Sequence, residues 1–278
     1  MTPLRILIAG CGDVGIALGK LLVTQGHTVF GLRRTIDQLP DSIQGIAADL
    51  CNKDTLSNLP SIDVLVYCAA AGGGGIQGYT DTYLSGLDNI LAALTKPLKH
   101  IFFTSSTSVY GQKDHSWVDE QSPTAPDSET GRIMLAAEQL ALRYENATVV
   151  RFSGIYGPGR NHLLNTVKEG IVAPALPIHH SNRIHRDDCA GVLSFLIEKL
   201  CTDQPIKSIY LASDHAPTPI SEVMHWMAQQ LKVEITEERE IRRGGSKRCN
   251  SQLIQSEGFR FKYPDYQAGY LAQLSAAR

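Results

Sequence analysis

The chain has 278 residues, 43% hydrophobic and 19% charged, which is enough for one large α/β core or a core with a small appended lobe. A formal net charge of −2 gives no electrostatic pull toward nucleic acid or an anionic membrane, so neither is expected as a partner. Six scattered cysteines form no Cys-x-x-Cys pair and fit reduced thiols in the cytosol better than a disulfide framework or a zinc site.

From the N-terminus, Ile6–Ala9 is too short an apolar run for a secretion signal, and no later run is long enough to span a bilayer. The expected location is the cytoplasm. Short β-branched runs then alternate with helical stretches. Strands are expected at Arg5–Ala9, Thr28–Leu32, Ile46–Ala48, Val64–Cys68, His100–Thr104 and Thr148–Phe152, with helices at Val14–Gln25, Thr80–Leu94 and Gly131–Arg143. Such alternation predicts a doubly wound α/β fold, because parallel strands need crossovers that are usually helical. Beyond Arg151, Gly and Pro become frequent, and a helix at Asp187–Leu200, a strand at Ser208–Ala212 and a helix at Ile220–Leu231 follow. Residues 1–152 are read as a Rossmann-type dinucleotide-binding domain. Residues 153–278 are read mainly as a substrate-side lobe with returns to the main sheet, in one compact unit.

Gly10-Cys11-Gly12-Asp13-Val14-Gly15 follows the first strand and opens the first helix, the context that gives a G-x-G-x-x-G match its meaning. Gly10 permits the tight turn, Gly12 lets the backbone approach a pyrophosphate, and Gly15 lets helix and strand pack closely, with Asp13 and Val14 between them. An NAD-preferring site places an acid at the end of the second strand. Here that place reads Gly31-Leu32-Arg33-Arg34, and no acid lies between Asp13 and Asp37. Guanidinium groups suit a 2′-phosphate by charge and fork geometry. NADP is therefore favoured over NAD, with Arg33 the better candidate of the two.

Four further stretches carry a family resemblance: Asp49-Leu50, Thr104 to Gly111 (TSSTSVYG), Arg151 to Arg160 (RFSGIYGPGR), and Ile184-His185-Arg186-Asp187-Asp188. In this order and spacing, with the glycine loop, they resemble the extended short-chain dehydrogenase/reductase family of nucleotide-sugar epimerases, dehydratases and reductases. The resemblance implies Asp49 and Leu50 beside the adenine, Ala69-Ala70-Ala71 along the ribose and nicotinamide, and Ser106 as the serine that holds the substrate oxygen. Ser105 and Ser108 stand as alternatives for the exposed hydroxyl, and a Ser-rich strand end can also simply satisfy local backbone groups. It further implies a homodimer through the helices near Thr80–Leu94 and Gly131–Arg143.

The chain departs from the family at its proton-transfer pair. The Tyr-x-x-x-Lys positions hold Thr130 and Met134, which can neither shuttle a proton near neutral pH nor assist one. Tyr83 stands where the family has a structural asparagine, and Ala9 replaces a glycine. The resemblance is therefore to an atypical branch. Tyr83, Tyr110, Tyr156, His162 and His185 are alternative proton sources. Tyr83, Tyr156, Arg160 and His185 are candidate substrate contacts, and Arg183, Arg186, Lys247 and Arg248 add positive charge that suits a phosphate-bearing substrate such as a nucleotide sugar. Gly72–Gly75 is read as a flap or close-approach loop. No metal is expected, since His179-His180 lacks a third ligand in pattern. The functional expectation is an NADP(H)-dependent oxidoreductase or epimerase/dehydratase-like enzyme acting on a nucleotide sugar or similar carbonyl or hydroxyl compound. The alternative is a catalytically altered or inactive NADP-binding sensor or interaction protein.

Overall fold

Side chains alternate across a strand, so a sheet covered on both faces needs apolar residues at every position. The first strand, β1 (Arg5–Ala9), meets that demand: Ile6 and Ile8 enter one core cluster while Leu7 and Ala9 enter the other. The structure, a computed structural model, describes residues 2–241 and 246–276. The remaining core strands are β2 (Thr28–Arg33), β3 (Gln44–Ala47), β4 (Val64–Tyr67), β5 (His100–Ser106), β6 (Ala147–Phe152) and β7 (Ile209–Ala212). They form one seven-stranded sheet in the order β7-β6-β5-β4-β1-β2-β3, with every pairing parallel. The direction of winding reverses between β1 and β4, which opens a crevice at their carboxyl ends.

Helices α1 (Asp13–Thr24) and α6 (Arg186–Cys201) pack on one face through Leu18, Leu22, Leu193 and Ile197. The other face is covered by α2 (Gly75–Thr80), α3 (Gly86–Ala93) and α4 (Glu129–Ala141), with Leu87, Ile90 and Ala137 against Leu65 and Phe103. Beyond β6, α5 (His162–Lys168), α7 (Ile220–Leu231), α8 (Gln252–Ser256) and α9 (Tyr266–Ala276) join α6 and β7. A third apolar cluster, including Tyr156, Val167, Met224, Met227, Tyr266 and Tyr270, forms a smaller lobe there.

The fold is the doubly wound α/β sheet expected from the alternation, and most elements begin and end within two residues of their expected bounds. The exception is the helix expected at Thr80–Leu94. It starts at Gly75, and a five-residue π-helical segment at Asp81–Ser85 separates α2 from α3. The early start follows a turn in which Gly73, Gly74 and Gly75 all have positive φ. The wide turn has its own cause: Tyr67 at the end of β4 donates its hydroxyl to the Thr82 carbonyl, while the Gly86 amide bonds Asp81. Inserting a side-chain hydroxyl into the ladder is a recognised origin of such irregularity.

Candidate active site

A cleft of about 960 Å3 lies along the carboxyl ends of the central strands. Its floor begins at the glycine loop. An added Cβ at Gly10, where φ is +81°, would fall 2.3 Å from Ala69 Cα, so this position admits only glycine if β1 and β4 are to keep their spacing. An added Cβ at Gly15 would meet Ile8 at 3.0 Å, which is the helix-on-strand contact. At Gly12 the nearest atom to an added Cβ is 3.9 Å away, so the side chain it lacks would project into open space beside the cleft. Gly12 also caps α1 with no side-chain hydrogen bond, whereas Ser128 caps α4 and His185 caps α6 with theirs. The first-turn N–H groups of α1 are thereby left for an anion. These residues fit a dinucleotide pyrophosphate.

Around this floor the structure gathers most of the residues singled out in the sequence. Gly10, Gly12, Asp13, Val14, Arg33, Arg34, Asp49, Leu50, Ala69 and Ala70 all line the cleft. Gly15 lies behind it, and Ala71 is not among its lining. Arg33 ends β2 and donates to Gln38 Oε1 at 3.3 Å, and Arg34 beside it is exposed. The Asp49 carboxylate accepts the Cys51 amide at 2.9 Å, which fixes the turn that brings Leu50 to the cleft wall.

At the other end stand Ser106 and Tyr83. Ser106 is the last residue of β5, and its Oγ accepts the Ser108 amide at 3.1 Å, starting a short 3-10 turn. The local capping role is real, yet it consumes only an acceptor site and leaves the hydroxyl proton to donate. Ser105 is buried and donates to Glu138, while Ser108 is exposed and absent from the cleft lining. Tyr83 sits on the π-helical segment, 8% exposed, and burial followed by the neighbouring Tyr79 pushes its phenol up to about 12. It is thus a neutral hydrogen-bond donor throughout the working pH range.

Thr130 and Met134 part company. Thr130 turns to Ser128 Oγ at 3.3 Å in the first turn of α4 and does not line the cleft, whereas Met134 is buried and presents an apolar wall there. No proton-transfer pair is formed at these two positions.

The other proton candidates lie outside the cleft lining. Tyr110 donates to the Asp119 carbonyl at 2.6 Å and accepts from Arg151 at 2.9 Å. Tyr156 is buried in the small lobe against Tyr270 and Gly269, because the parallel pairing of Gly154–Tyr156 with Arg183–His185 turns Tyr156 and His185 to that side. His185 is 2% exposed, and its Nδ1 accepts the Asp187 amide, so its ring is committed to starting α6. His162 is an exposed first residue of α5. Arg183 is buried beside the Tyr266 ring. Arg160 does line the cleft, but at its glycine-loop end: Nε donates to Asp13 Oδ2 at 2.6 Å.

Several lining residues carried no sequence signal of their own. Thr35, Cys51, Cys68, Ser153, Gly154 and Ile155 reach the cleft because they end or follow core strands. The last three fall within the Arg151 to Arg160 stretch, so its position just past β6 was the available clue. Among the described residues, no helix is long and apolar enough to cross a membrane.

The geometry agrees with what the chain resembles. A family model described as the NAD dependent epimerase/dehydratase family matches residues 6–199. A solved structure described as an NAD-dependent epimerase/dehydratase from Methylobacillus flagellatus is 37% identical, covers 100% of both chains and superposes with a TM-score of 0.87. Protein YeeZ of Escherichia coli is 28% identical over 277 residues, covering 94% of this chain and 97% of that protein. The UDP-glucuronic acid 4-epimerase of Bacillus cereus, solved with UDP-glucuronic acid and NAD, shares the fold at a TM-score of 0.80 with 19% identity, covering 98% of each chain.

Proposed function

The chain belongs to the NAD dependent epimerase/dehydratase family, and on that premise we propose that it is an NADP(H)-dependent oxidoreductase or epimerase/dehydratase-like enzyme acting on a nucleotide sugar or a similar carbonyl or hydroxyl compound. The observation that carries this reading is one continuous cleft, with Arg33 and Arg34 at one end and Ser106 with Tyr83 at the other. The glycine loop and the uncapped start of α1 hold the pyrophosphate, and the two arginines hold the 2′-phosphate. A nicotinamide bound in this cleft would supply or accept the hydride.

The chain's own residues then have limited tasks. Ser106 donates a hydrogen bond to the reacting substrate oxygen. Tyr83, kept neutral by burial, donates a second and so stabilises charge that develops on that oxygen. With Thr130 turned away and Met134 apolar, the proton itself passes to or from water or substrate rather than a tyrosinate. The test is a panel of nucleotide sugars with NADPH and NADP, followed at the nicotinamide absorbance and by product analysis. Turnover with a panel member, lowered at least tenfold by Ser106→Ala, is the expected result; silence across the panel with tight NADPH binding counts against the catalytic part.

A second reading is favoured by the same Thr130 and Met134: a protein that keeps the cofactor cleft to sense the dinucleotide or bind a partner. It predicts equal affinity for oxidised and reduced cofactor, no turnover, and a partner captured only in the presence of cofactor.

A further inference from the structure

Asp13 is an odd residue to find at the pyrophosphate end of a dinucleotide cleft. As the first residue of α1 its carboxylate complements the helix dipole, but it also stands where two phosphate charges must be accommodated. The structure answers with two arginines from distant parts of the chain. Arg160 Nε donates to Oδ2 at 2.6 Å across 147 residues of sequence, and Arg186 Nη1 donates to Oδ1 at 3.1 Å across 173. Both carboxylate oxygens are engaged.

Arg186 stands where its own helix disfavours a cation. Arg186 is the first residue of α6, at the positive end of that helix's dipole, and is tolerated because Asp187 takes its Nε and Nη2 at 3.0 and 2.8 Å. Arg160 is carried by a turn shaped by Gly157 and Gly159, at φ +130° and +81°, and closed by the Arg160 amide on the Gly157 carbonyl at 3.0 Å. Gln273 of α9 donates to that same carbonyl at 3.1 Å, which ties the turn to the small lobe. Arg160, Arg186 and Lys262 pair with Asp13 and Asp187 beside the starts of two helices, with Asp188 next in the cluster on the Lys262 amide. Because the bond to Asp13 uses Nε, Asp13 does not occupy the paired Nη edge of the Arg160 fork, and Arg160 lines the cleft together with Gly10 and Gly12.

We propose that Arg160, supported by Arg186, is a latch from the small lobe that closes over the cofactor pyrophosphate, with Asp13 as the anchor that orients it. This rests on the dinucleotide reading of the cleft. It assigns Arg160 to the cofactor rather than to the substrate, and it makes the pyrophosphate the joint at which the small lobe meets the glycine loop. The fork supplies charge-assisted hydrogen bonds to phosphate oxygens opposite the backbone amides of α1.

The test is calorimetric binding of NADP, NAD and adenosine 2′-monophosphate, which lacks the pyrophosphate, to the full-length protein and to Arg160→Gln. A thermal melt without ligand serves as the folding control. Arg160→Gln is expected to weaken NADP and NAD by the same factor, about tenfold, while adenosine 2′-monophosphate binds as before and Arg160→Lys recovers part of the loss. Unchanged dinucleotide affinity, or a nucleotide monophosphate weakened as much as NADP, overturns the latch. Failure of the NADP assignment looks different: wild-type protein then binds NAD as tightly as NADP while Arg160→Gln still weakens both. If wild-type protein binds neither dinucleotide, the cleft reading and the latch fall together.

Discussion

The hydroxyl of Tyr67 occupies the space that a side chain would need at Gly86: a Cβ built there would lie 2.7 Å from it. The absence of a side chain at Gly86 lets the hydroxyl reach the Thr82 carbonyl, and the resulting π-helical turn carries Tyr83 into the cleft. Tyr67, in register with Ala9 on the strand beside β1, thus sets the position of Tyr83 at the far end of the site.

Gly86→Ala is therefore expected to destabilise the protein by about 1–3 kcal/mol, the usual cost of forcing an extra methyl into a packed interior. Tyr67→Phe alone loses one buried hydrogen bond, at roughly 1 kcal/mol. Combined, the two substitutions should cost less than their sum, because removing the hydroxyl relieves the clash. Urea denaturation of the four proteins measures the coupling, and strict additivity would contradict the steric account.

Beneath the other wall of the cleft, Arg151 and Glu138 form a bidentate pair, with Nη2 to Oε2 at 2.7 Å and side chains 4% and 1% exposed. Ser105 donates to the same carboxylate and Arg151 donates to Tyr110, so the pair fixes the end of β5 just before Ser106. Removing one partner strands a buried charge, which typically costs about 3–5 kcal/mol. Arg151→Met and Glu138→Leu should each lose stability on that scale in urea titrations. The double variant should recover a large part of it, since two apolar side chains leave no uncompensated charge. A double variant as unstable as the sum of the two singles would instead assign the cost to lost packing.

How much of this was legible beforehand depends on how far apart the cooperating residues lie. The strands and most helices announce themselves, because a two-faced sheet demands unbroken apolar runs such as Val64–Tyr67, and the glycine loop follows its strand directly. The start of α2 was hidden, since Gly75 to Gly78 has poor helix propensity and is held by turn geometry rather than pattern. The orientation of Thr130 toward Ser128 was equally invisible, because residue type does not report which way a side chain turns in the first turn of a helix. Contacts between loops leave no periodic trace at all: nothing in the spacing of Asp13 and Arg160 says that they meet.

Asp214 gives a pH signature opposite to that of a salt-bridged acid. It follows β7, is 1% exposed, has no partner for Oδ2, and burial pushes its carboxyl up to about 7 despite the nearby Arg183. Since the native pKa lies above the unfolded value of 3.8, its contribution to stability is fully present below that value. As pH rises from about 4 the unfolded chain gives up the proton first, and the contribution is lost by about pH 7. Asp214→Asn cannot titrate, so its stability relative to wild type should climb between those limits and level off above them. Denaturant midpoints taken at about pH 4.5, 5.5, 6.5 and 8 resolve the trend, and parallel curves for the two proteins would refute it.

The arginine pair at the end of β2 permits the sharpest test of cofactor choice. Arg33 and Arg34 both line the cleft, where an NAD site would carry an acid, and Arg33 is the more enclosed of the two. A charge-assisted hydrogen bond to a phosphate contributes about 1.5–3 kcal/mol, equivalent to roughly 10- to 100-fold in affinity. Arg33→Ala should therefore weaken NADP by about that factor while leaving NAD within about threefold, because NAD has no group for the fork to meet. Arg34→Ala should show the same selectivity on a smaller scale, since an exposed guanidinium is better screened. The selectivity also separates this pair from Arg160: loss of a 2′-phosphate contact changes the ratio of the two affinities, whereas loss of a pyrophosphate contact lowers both together. Isothermal titration with both dinucleotides at low and high salt measures the ratio directly. Equal losses for NADP and NAD in Arg33→Ala would show that the side chain supports the fold of the cleft and does not read the phosphate.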